Sequence, residues 1–528
     1  MVLAEYVVSP IPPFTGILWL SILLPVCLVL YRRYWTRLSR FPGPSWASVT
    51  DIWRLFMVYR GRPQEEQREL HQLYGDVVRL GPRTLSFANP QAIGDIYSGK
   101  QRLRKSEFYS VQRGIRGGHS ISTIFSTTDE NAHAKLRRGA SNAYALTTLL
   151  QFEPLVDSTT RVFLAQIRGR WADKPGARGL CDLSTWLQYY AFDVIGELTF
   201  SKQMGFLEQG RDVGGIIDAI DRGLGYAGLV GQIPWSDLLL RRNPIKLLAG
   251  RLGFFNTTFT HVAYGAEQIR QRKLDLGDKL TQPIKSDNRP RDFLSRFLET
   301  HYVHGSISED QVMSLTQANI NAGSDTTAIS LRSIFYYLLK TPGCYKKLMD
   351  ELEAAEARGH FADVETCLVS WTEAQKLPYL DGVVKESLRI FPAVGLSMER
   401  VVPDEGLIIA GNFVPGGTIV GCSPWVINFR KDVFGNDADK FNPERWIDAD
   451  ESKMSKMKKY FFTFGMGSHT CIGKNISYLE IYKVVAAVLR NFKVELADPA
   501  SQWNIQGSWF VKQTDFDVRF MSRVPRKV

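Results

Sequence analysis

Cysteine is scarce, with six residues in a chain of 528. Cys27, Cys181, Cys344, Cys367, Cys422 and Cys471 are widely spaced, and no two form a Cys-x-x-Cys pair. That excludes a disulfide scaffold and a zinc ribbon. It suits a reducing compartment, where a thiol is either a small buried hydrophobe or a reactive group. Repeats and low-complexity segments are missing, which excludes solenoid and collagen-like architectures. Long hydrophobic runs are missing except for one near the amino terminus, which excludes a polytopic membrane protein. There is no His-Glu-x-x-His and no Gly-x-Ser-x-Gly, and His301 and His304 lack the Glu of a zinc-protease helix.

What is present is an ordinary globular composition with a basic balance. Apolar residues make up 44% and charged residues 23%, enough for a large core. Lys and Arg number 65 against 54 Asp and Glu, a net charge of +11, which favours an anionic partner. Residues 1–40 read as a luminal segment and membrane anchor. Residues 14–31 are uncharged and mostly apolar, and as a helix span about 27 Å, close to the hydrocarbon core. Arg32, Arg33, Arg37 and Arg40 follow at once, which puts the rest of the chain, 41–528, on the cytosolic side. A cleaved signal peptide needs a basic first segment and a small-residue cleavage site, and the chain has neither.

The body reads as one mostly helical unit with small strands. Helical periodicity covers Leu183–Thr199, Glu309–Leu339, Pro378–Ile390 and Ile472–Leu489, and strand patterns cover Val77–Leu80, Thr84–Phe87, Gly406–Ile409 and Thr418–Cys422. Lys273–Arg291 reads as a charged surface loop. Gly223-Leu-Gly-Tyr-Ala-Gly228 matches a dinucleotide fingerprint only in letters, since a charged helical stretch precedes it and no acid stands where a ribose would need one. Gly94-Asp-Ile-Tyr-Ser-Gly-Lys100 resembles a phosphate loop, but Gln101 stands where a magnesium-binding hydroxyl is required.

The strongest signal is Phe464-Gly-Met-Gly-Ser-His-Thr-Cys471-Ile-Gly473, followed by an apolar-periodic helix. Gly465 and Gly467 permit tight turns and close approach to a flat ligand. Cys471 falls at the start of a helix, where free amides and the macrodipole favour a thiolate. Gly473 keeps the first turn free of a side chain, Phe464 can shield the sulfur, and His469 can bond an acidic group. The bland alternative is a buried structural Cys on a glycine turn, which would not need the other positions.

This loop resembles the haem-binding signature of the cytochrome P-450 haem-thiolate monooxygenases, in which the Cys thiolate is the axial iron ligand. Three further motifs follow in the family's order. Glu386-Ser-Leu-Arg389 lies about eighty residues before Cys471, with Phe441-Asn-Pro-Glu-Arg445-Trp446 between them; the resemblance makes Glu386, Arg389 and Arg445 a structural triad. Taken alone the pair is uninformative, because Glu-x-x-Arg recurs at Glu65–Arg68, Glu208–Arg211 and Glu267–Arg270. Ala322-Gly-Ser-Asp325-Thr326-Thr327 interrupts the long helix and resembles the family's oxygen-binding groove. There Thr326 holds a water or bonds the dioxygen, and Asp325 delivers protons. A core helix with self-satisfied hydroxyls is the alternative. His133-Ala-Lys-Leu-Arg137-Arg138 corresponds to a Trp-x-x-x-Arg segment that reaches a haem propionate. His133 replaces the Trp, and His469 stands where most members have Arg. Arg137 and Arg400 are further propionate candidates.

The resemblance covers residues 41–520, and its wording is similar to fungal members close to the pisatin demethylase group. It implies a P-450 fold, mainly α with small β-sheets (α+β), preceded by an N-terminal transmembrane helix. It implies haem b as cofactor, with Cys471 as the metal ligand. It also implies a lipophilic small-molecule substrate oxidised with O2, an apolar pocket, and a location in the endoplasmic reticulum membrane. The chain has no convincing nucleotide motif, so electrons come from a partner: an NADPH-cytochrome reductase, with cytochrome b5 as a second donor. Lys135, Arg137, Arg138, Lys456, Lys458, Lys459 and Lys474 are candidates for a basic docking face. The partners implied are protein, substrate and membrane lipid, not nucleic acid. The stretch Gly228–Trp235 is apolar enough to enter a membrane. Two alternatives keep the haem: a thiolate-haem isomerase or dehydratase that needs no reductase, and a non-catalytic haem-binding membrane protein.

Overall fold

The 3.6-residue periodicity of Glu309–Lys340 produces an unbroken helix of 32 residues, and the rest of the fold is arranged around it. The computed structural model describes residues 13–99, 101–282 and 291–523; the side chains of residues 13–20 and 22 fall outside the description. Most of the central helix is buried on every face except near its middle. Helices Leu183–Phe200, Pro378–Ile390 and Lys474–Asn491 pack around it, and their apolar side chains form the principal core. Gly323 is the reason Leu183–Phe200 can approach so closely: a Cβ there would lie 2.8 Å from Ile195 Cδ1. The expected interruption at Ala322–Thr327 is therefore absent. The glycine serves helix–helix contact and leaves the helical hydrogen bonding intact. The helix begins with a capping box between Ser308 and Gln311, two residues later than the Ser306–Glu309 spacing suggests.

A four-stranded sheet lies to one side. Val77–Gly81 pairs antiparallel with Thr84–Phe87, which runs parallel to Ile419–Gly421, and Arg400–Val401 completes the order antiparallel to that strand. Arg400 is opposite Val420, so the sheet fixes where its guanidinium begins. A second core, with Phe87, Ile93, Tyr97, Val420 and Phe462, backs this sheet. Near the carboxyl terminus Phe492–Leu496 and Asp517–Ser522 form a sheet with Cys181–Asp182, and Asn504–Gly507 pairs with Val511–Thr514 as a hairpin. The sequence pattern signalled none of these C-terminal strands.

Gly223–Gly228 lies inside the helix Ile216–Val230, so its glycines form no phosphate loop. The charged segment from Lys273 begins in the last turn of the helix Thr260–Leu276, and most of its remainder lies outside the described residues. At the amino terminus Pro13–Leu30 forms a helix without a charged residue. Among the described residues no helix is long and apolar enough to cross a membrane. The expected luminal segment lies largely outside them.

Candidate functional site

The cysteine loop is built by two glycines and an asparagine. Gly465 and Gly467 have φ of +68° and +70°, where side chains with a Cβ are strained. Gly467 is also sterically obligatory, since a Cβ there would sit 1.8 Å from the Tyr97 carbonyl oxygen. Asn428 accepts from the Phe462 amide at 3.1 Å and donates to Thr463 Oγ1 at 2.9 Å. The amide of Cys471 then closes the loop on the Phe464 carbonyl at 2.8 Å. The following helix starts at Lys474, with Gly473 as its N-cap. Cys471 therefore precedes the first turn rather than forming it, and the amides of Gly473 and Lys474 face its sulfur.

Burial pushes the Cys471 thiol above its ordinary pKa, against the pull of the Gly473 amide, Arg137 and Lys474. The side chain is nevertheless exposed. Ala322 is exposed and Thr326 half-buried in the middle of an otherwise buried helix, and Thr327 Oγ1 lies 3.3 Å from Ser477 Oγ, the fourth residue of the helix after the loop. The Thr326 segment is thus packed beside the helix that leaves the cysteine loop, and both expose side chains within the fold. Thr326 Oγ1 donates to the Ala322 carbonyl at 2.8 Å, so its hydroxyl is self-satisfied and keeps its lone pairs free. Asp325 is 1% exposed. Its carboxylate accepts from Gln188 Nε2 at 2.7 Å and pairs with Lys512 Nζ at 3.0 Å. Lys512 also pairs with the partly exposed Asp221.

One side of the loop is lined by basic and imidazole groups. His133 and His469 stack with ring centroids 3.9 Å apart, and His469 Nε2 meets Glu130 Oε2 at 3.0 Å. Burial, then the neighbouring His469, holds His133 down at about 2, and burial holds His469 at about 4, so both rings are neutral at physiological pH. Arg137 donates to the Thr470 carbonyl at 2.8 Å and so braces the loop itself. Arg400 is buried and lies over Tyr97, 5.2 Å from its ring centroid. A cavity of about 240 Å³ is lined by Tyr97, Arg102, Arg400 and His469 among others. Lys105 was not legible in the sequence. It is 4% exposed, and its Nζ bonds only the carbonyls of Ile124 and Phe125, at 2.8 and 2.7 Å. Burial, then Arg400, pulls its pKa well down, as expected of a cation that lacks an anionic partner. His469 Nδ1 and Glu130 Oε1 are buried without partners. This donor set fits a flat ligand with acidic edge groups.

The proposed triad is fully assembled. Glu386 accepts from Arg389 Nε and Nη2 at 2.8 and 2.7 Å, from Arg445 Nε at 3.4 Å, and from Trp446 Nε1 and the Asn442 amide at 2.9 and 3.0 Å. Arg389 donates to the Asn428 carbonyl at 2.8 Å, and the Asn428 side chain fixes the segment leading into the loop. Asp437 is a member the sequence did not signal. Burial raises its carboxyl, but hydrogen bonds from Arg445 and Asn442 outweigh this and bring it to about 2.

The distal wall is aromatic. Phe108, Tyr109, Phe125 and Trp509 form a cluster with centroids 5.2–5.9 Å apart, drawn from two segments far apart in the sequence.

A thiol-bearing glycine loop whose following helix packs beside a Thr-bearing central helix, with this buried triad behind it, defines the class, and the sequence comparisons agree. The chain belongs to the cytochrome P450 family, whose model matches residues 42–517. It is 39% identical over 498 residues to the cytochrome P450 monooxygenase cicH of Emericella nidulans, covering 94% of this chain and 96% of that one. It is 41% identical over 475 residues to a cytochrome P450 monooxygenase of Aspergillus terreus, covering 89% and 94%. A crystal structure of a cytochrome P450 (CYP102L1) superposes with a TM-score of 0.71 at 18% identity, covering 89% of this chain and 96% of that one, and shows the same fold. The protein is a haem-dependent monooxygenase that incorporates oxygen from O2.

Proposed function

We propose that Cys471 ligates the haem iron and that the enzyme oxidises a lipophilic small molecule of fungal secondary metabolism. The observation that carries the reading is the Cys471 loop, whose following helix packs beside the Thr326 segment. Iron-bound haem supplies the reductive cleavage of O2, so that one oxygen atom enters a substrate C–H bond and the other leaves as water, using two electrons and two protons. Phe464 and Gly473 shape the sulfur side. Arg400, Arg137, His133 and His469 face the propionate edge with Lys105. Thr326 Oγ1 accepts a hydrogen bond from water while it donates to Ala322, and so holds a proton donor at the reacting centre. Asp325, joined through Lys512 to Asp221, links that position to solvent. Phe108, Tyr109, Phe125 and Trp509 exclude water from the far side.

Electrons come from an NADPH-cytochrome reductase or cytochrome b5. Exposed Lys135, Arg138, Lys456, Lys458 and Lys459 support an acidic partner, whereas Arg137 and Lys474 are half-buried. A single-pass anchor in the endoplasmic reticulum, with the domain cytosolic, is supported by the uncharged helix Pro13–Leu30 and by exposed Tyr31, Tyr34 and Trp35 beside Arg33 at its end. A lipid-facing patch extends beyond Gly228–Trp235. Gly228 is buried, while Trp235, Leu239, Ile245, Leu248, Leu252 and Phe254 are exposed, more apolar surface than a solvated loop presents.

The first test is the ferrous–CO spectrum, which must show thiolate ligation and lose it in Cys471→Ala. Substrate-dependent oxygen uptake must then require NADPH and reductase. Turnover without them would favour the isomerase reading. Thr326→Ala should divert reducing equivalents to peroxide, and unchanged coupling would remove Thr326 from proton delivery.

A further inference from the structure

The central helix carries a polar flank of which the chemistry at Thr326 uses only Asp325. Gln317, Asn321 and Asp325 recur at i, i+4 and i+8, beside the stripe of Ala318, Ala322 and Thr326. Asp325 is satisfied by Gln188 and Lys512, but the other two are not. Gln317 is 2% exposed, and its Oε1 is buried without a partner. Asn321 Oδ1 is also buried and unpartnered. Above Gln317 lies His261, the second residue of the helix Thr260–Leu276 and 6% exposed. Its Nε2 is 3.5 Å from Gln317 Nε2, and its Nδ1 has no partner. Burial holds this imidazole at about 4, so it is neutral and can donate or accept. The third wall is the backbone at Gly114, where a Cβ would fall 2.2 Å from Gln317 Nε2. Ile115 next to it accepts from the Phe259 amide at 3.1 Å, which ties this wall to the start of the His261 helix.

Three elements therefore meet at Gln317, about one helical turn before Asn321, and leave three buried side-chain atoms without partners among the described residues. Such atoms are costly unless something bonds them. They lie apart from the haem-edge cluster and from the thiolate loop. At 1.5 Å per residue, Asn321 and Gln317 stand about 7 and 14 Å along the helix axis from Thr326. We infer that His261, Gln317 and Asn321 form a recognition subsite for a hydroxyl or carbonyl group of the substrate, holding it about 7–14 Å from the carbon that is oxidised. The substrate class is thereby narrowed to an elongated lipophilic molecule with one polar end. The aromatic wall of Phe108, Tyr109, Phe125 and Trp509 suits a flat body between that end and the reacting carbon. The inference rests on the monooxygenase reading, which the CO spectrum reports on separately.

The test uses the full-length, haem-loaded protein and matched probe pairs of two lengths: 4-phenylphenol with biphenyl, and 4-hydroxy-p-terphenyl with p-terphenyl. Binding is read from the ferric spin-state shift. In at least one pair the phenol should bind about tenfold or more tighter than its hydrocarbon, the effect of one hydrogen bond to an otherwise unsatisfied buried group. Gln317→Leu and Asn321→Leu, made separately, should each reduce that preference at least threefold. Both should retain the thiolate CO spectrum and the hydrocarbon affinity. Because apolar replacement of an unsatisfied group relieves a cost, neither variant should lower the thermal midpoint. A lowered midpoint would mean that the atoms already have partners inside the protein, and would overturn the inference. Equal binding of phenol and hydrocarbon in both pairs, or a preference that survives both variants, would overturn it as well. Loss of the CO spectrum in the parent protein would refute the underlying haem-thiolate assignment instead.

Discussion

Replacing Glu386 by Gln removes one charge from a cluster with no solvent to compensate it. The side chains of Glu386 and Arg389 are 0% exposed and that of Arg445 is 1% exposed. The carboxylate accepts from Arg389, Arg445, Trp446 and the Asn442 amide together. A Gln at this place turns an NH2 toward donors and leaves two guanidinium groups facing one neutral oxygen. Stranding a buried charge in this way costs about 3–5 kcal/mol, a large share of the ~5–15 kcal/mol that holds a domain folded. At about 2.1 cal/mol/K per residue, a cooperative unit of some 480 residues moves by about 1 °C per kcal/mol, so the midpoint should fall by ~3–5 °C. Because Arg389 also fixes Asn428, and Asn428 the strand into the cysteine loop, haem retention should fall with it. Thermal denaturation and the yield of the thiolate CO spectrum measure the two effects. Replacing all three residues by apolar ones, Glu386→Met with Arg389→Met and Arg445→Leu, should be less destabilising than Glu386→Gln alone, since the only charge then left without its partner is Asp437, whose side chain is 40% exposed and reaches solvent. A loss below about 1 kcal/mol in Glu386→Gln, or a triple variant worse than the single one, would refute the stranded-charge account.

Gly467→Ala should lose most of its thiolate CO signal, because the new Cβ meets the Tyr97 carbonyl at 1.8 Å at a φ of +70°; an unreduced signal would show that the loop can shift without cost. His71 is held at about 4 by burial, below its ordinary 6.5. Between these values the unfolded chain binds a proton that the folded chain refuses, so stability is complete above about pH 6.5 and falls by up to ~3 kcal/mol as the pH drops to about 4. Denaturation midpoints from pH 7 to 4 should show this slope added to those of the buried His133, His261 and His469, and His71→Gln should remove only the His71 share. Charge reversal at Lys458 and Lys459 should slow reductase-driven haem reduction about tenfold at low ionic strength, with the difference shrinking as salt is added. An effect independent of salt would place the docking face elsewhere.

The long elements were legible because one face of each repeats over many residues. Pro378–Ile390 has the bounds its pattern gives, and Leu183–Phe200 and Glu309–Lys340 differ from theirs by one residue. The short C-terminal strands were not, since Phe492–Leu496 is held by Asp517–Ser522 from beyond a hairpin, and that strand in turn by Cys181–Asp182 from far upstream, and such pairing leaves little local trace. Gly323 shows the opposite failure. Its presence mid-helix demanded a reason, but the sequence could not say whether that reason was a widened groove or the approach of Ile195. Glu386–Arg389 could not be separated locally from Glu267–Arg270, which is an exposed pair on a surface helix. Burial distinguishes them, and burial depends on what the rest of the chain places over them.

The haem edge shows how a site can keep its electrostatics while changing its residues. His133 and His469 replace a Trp and an Arg of the family pattern, and the sequence suggested that two donors were simply conserved. In the fold the two rings pack on each other, His469 bonds Glu130, and burial keeps both neutral. With no anion beside them, neither ring carries the positive charge that an acidic ligand edge calls for. That charge comes from Arg400, brought in by a strand opposite Val420, and from Lys105, whose backbone bridges to Arg400. A lone Lys between Arg104 and Ser106 reads as solvated surface. The pairing of its backbone with Arg400 carries it inside, where two carbonyls and the rings of Tyr109 and Phe125 meet its ammonium and burial disfavours its charge until an anion arrives. The guanidinium at this edge thus stands on a strand, whereas the cysteine loop offers an imidazole.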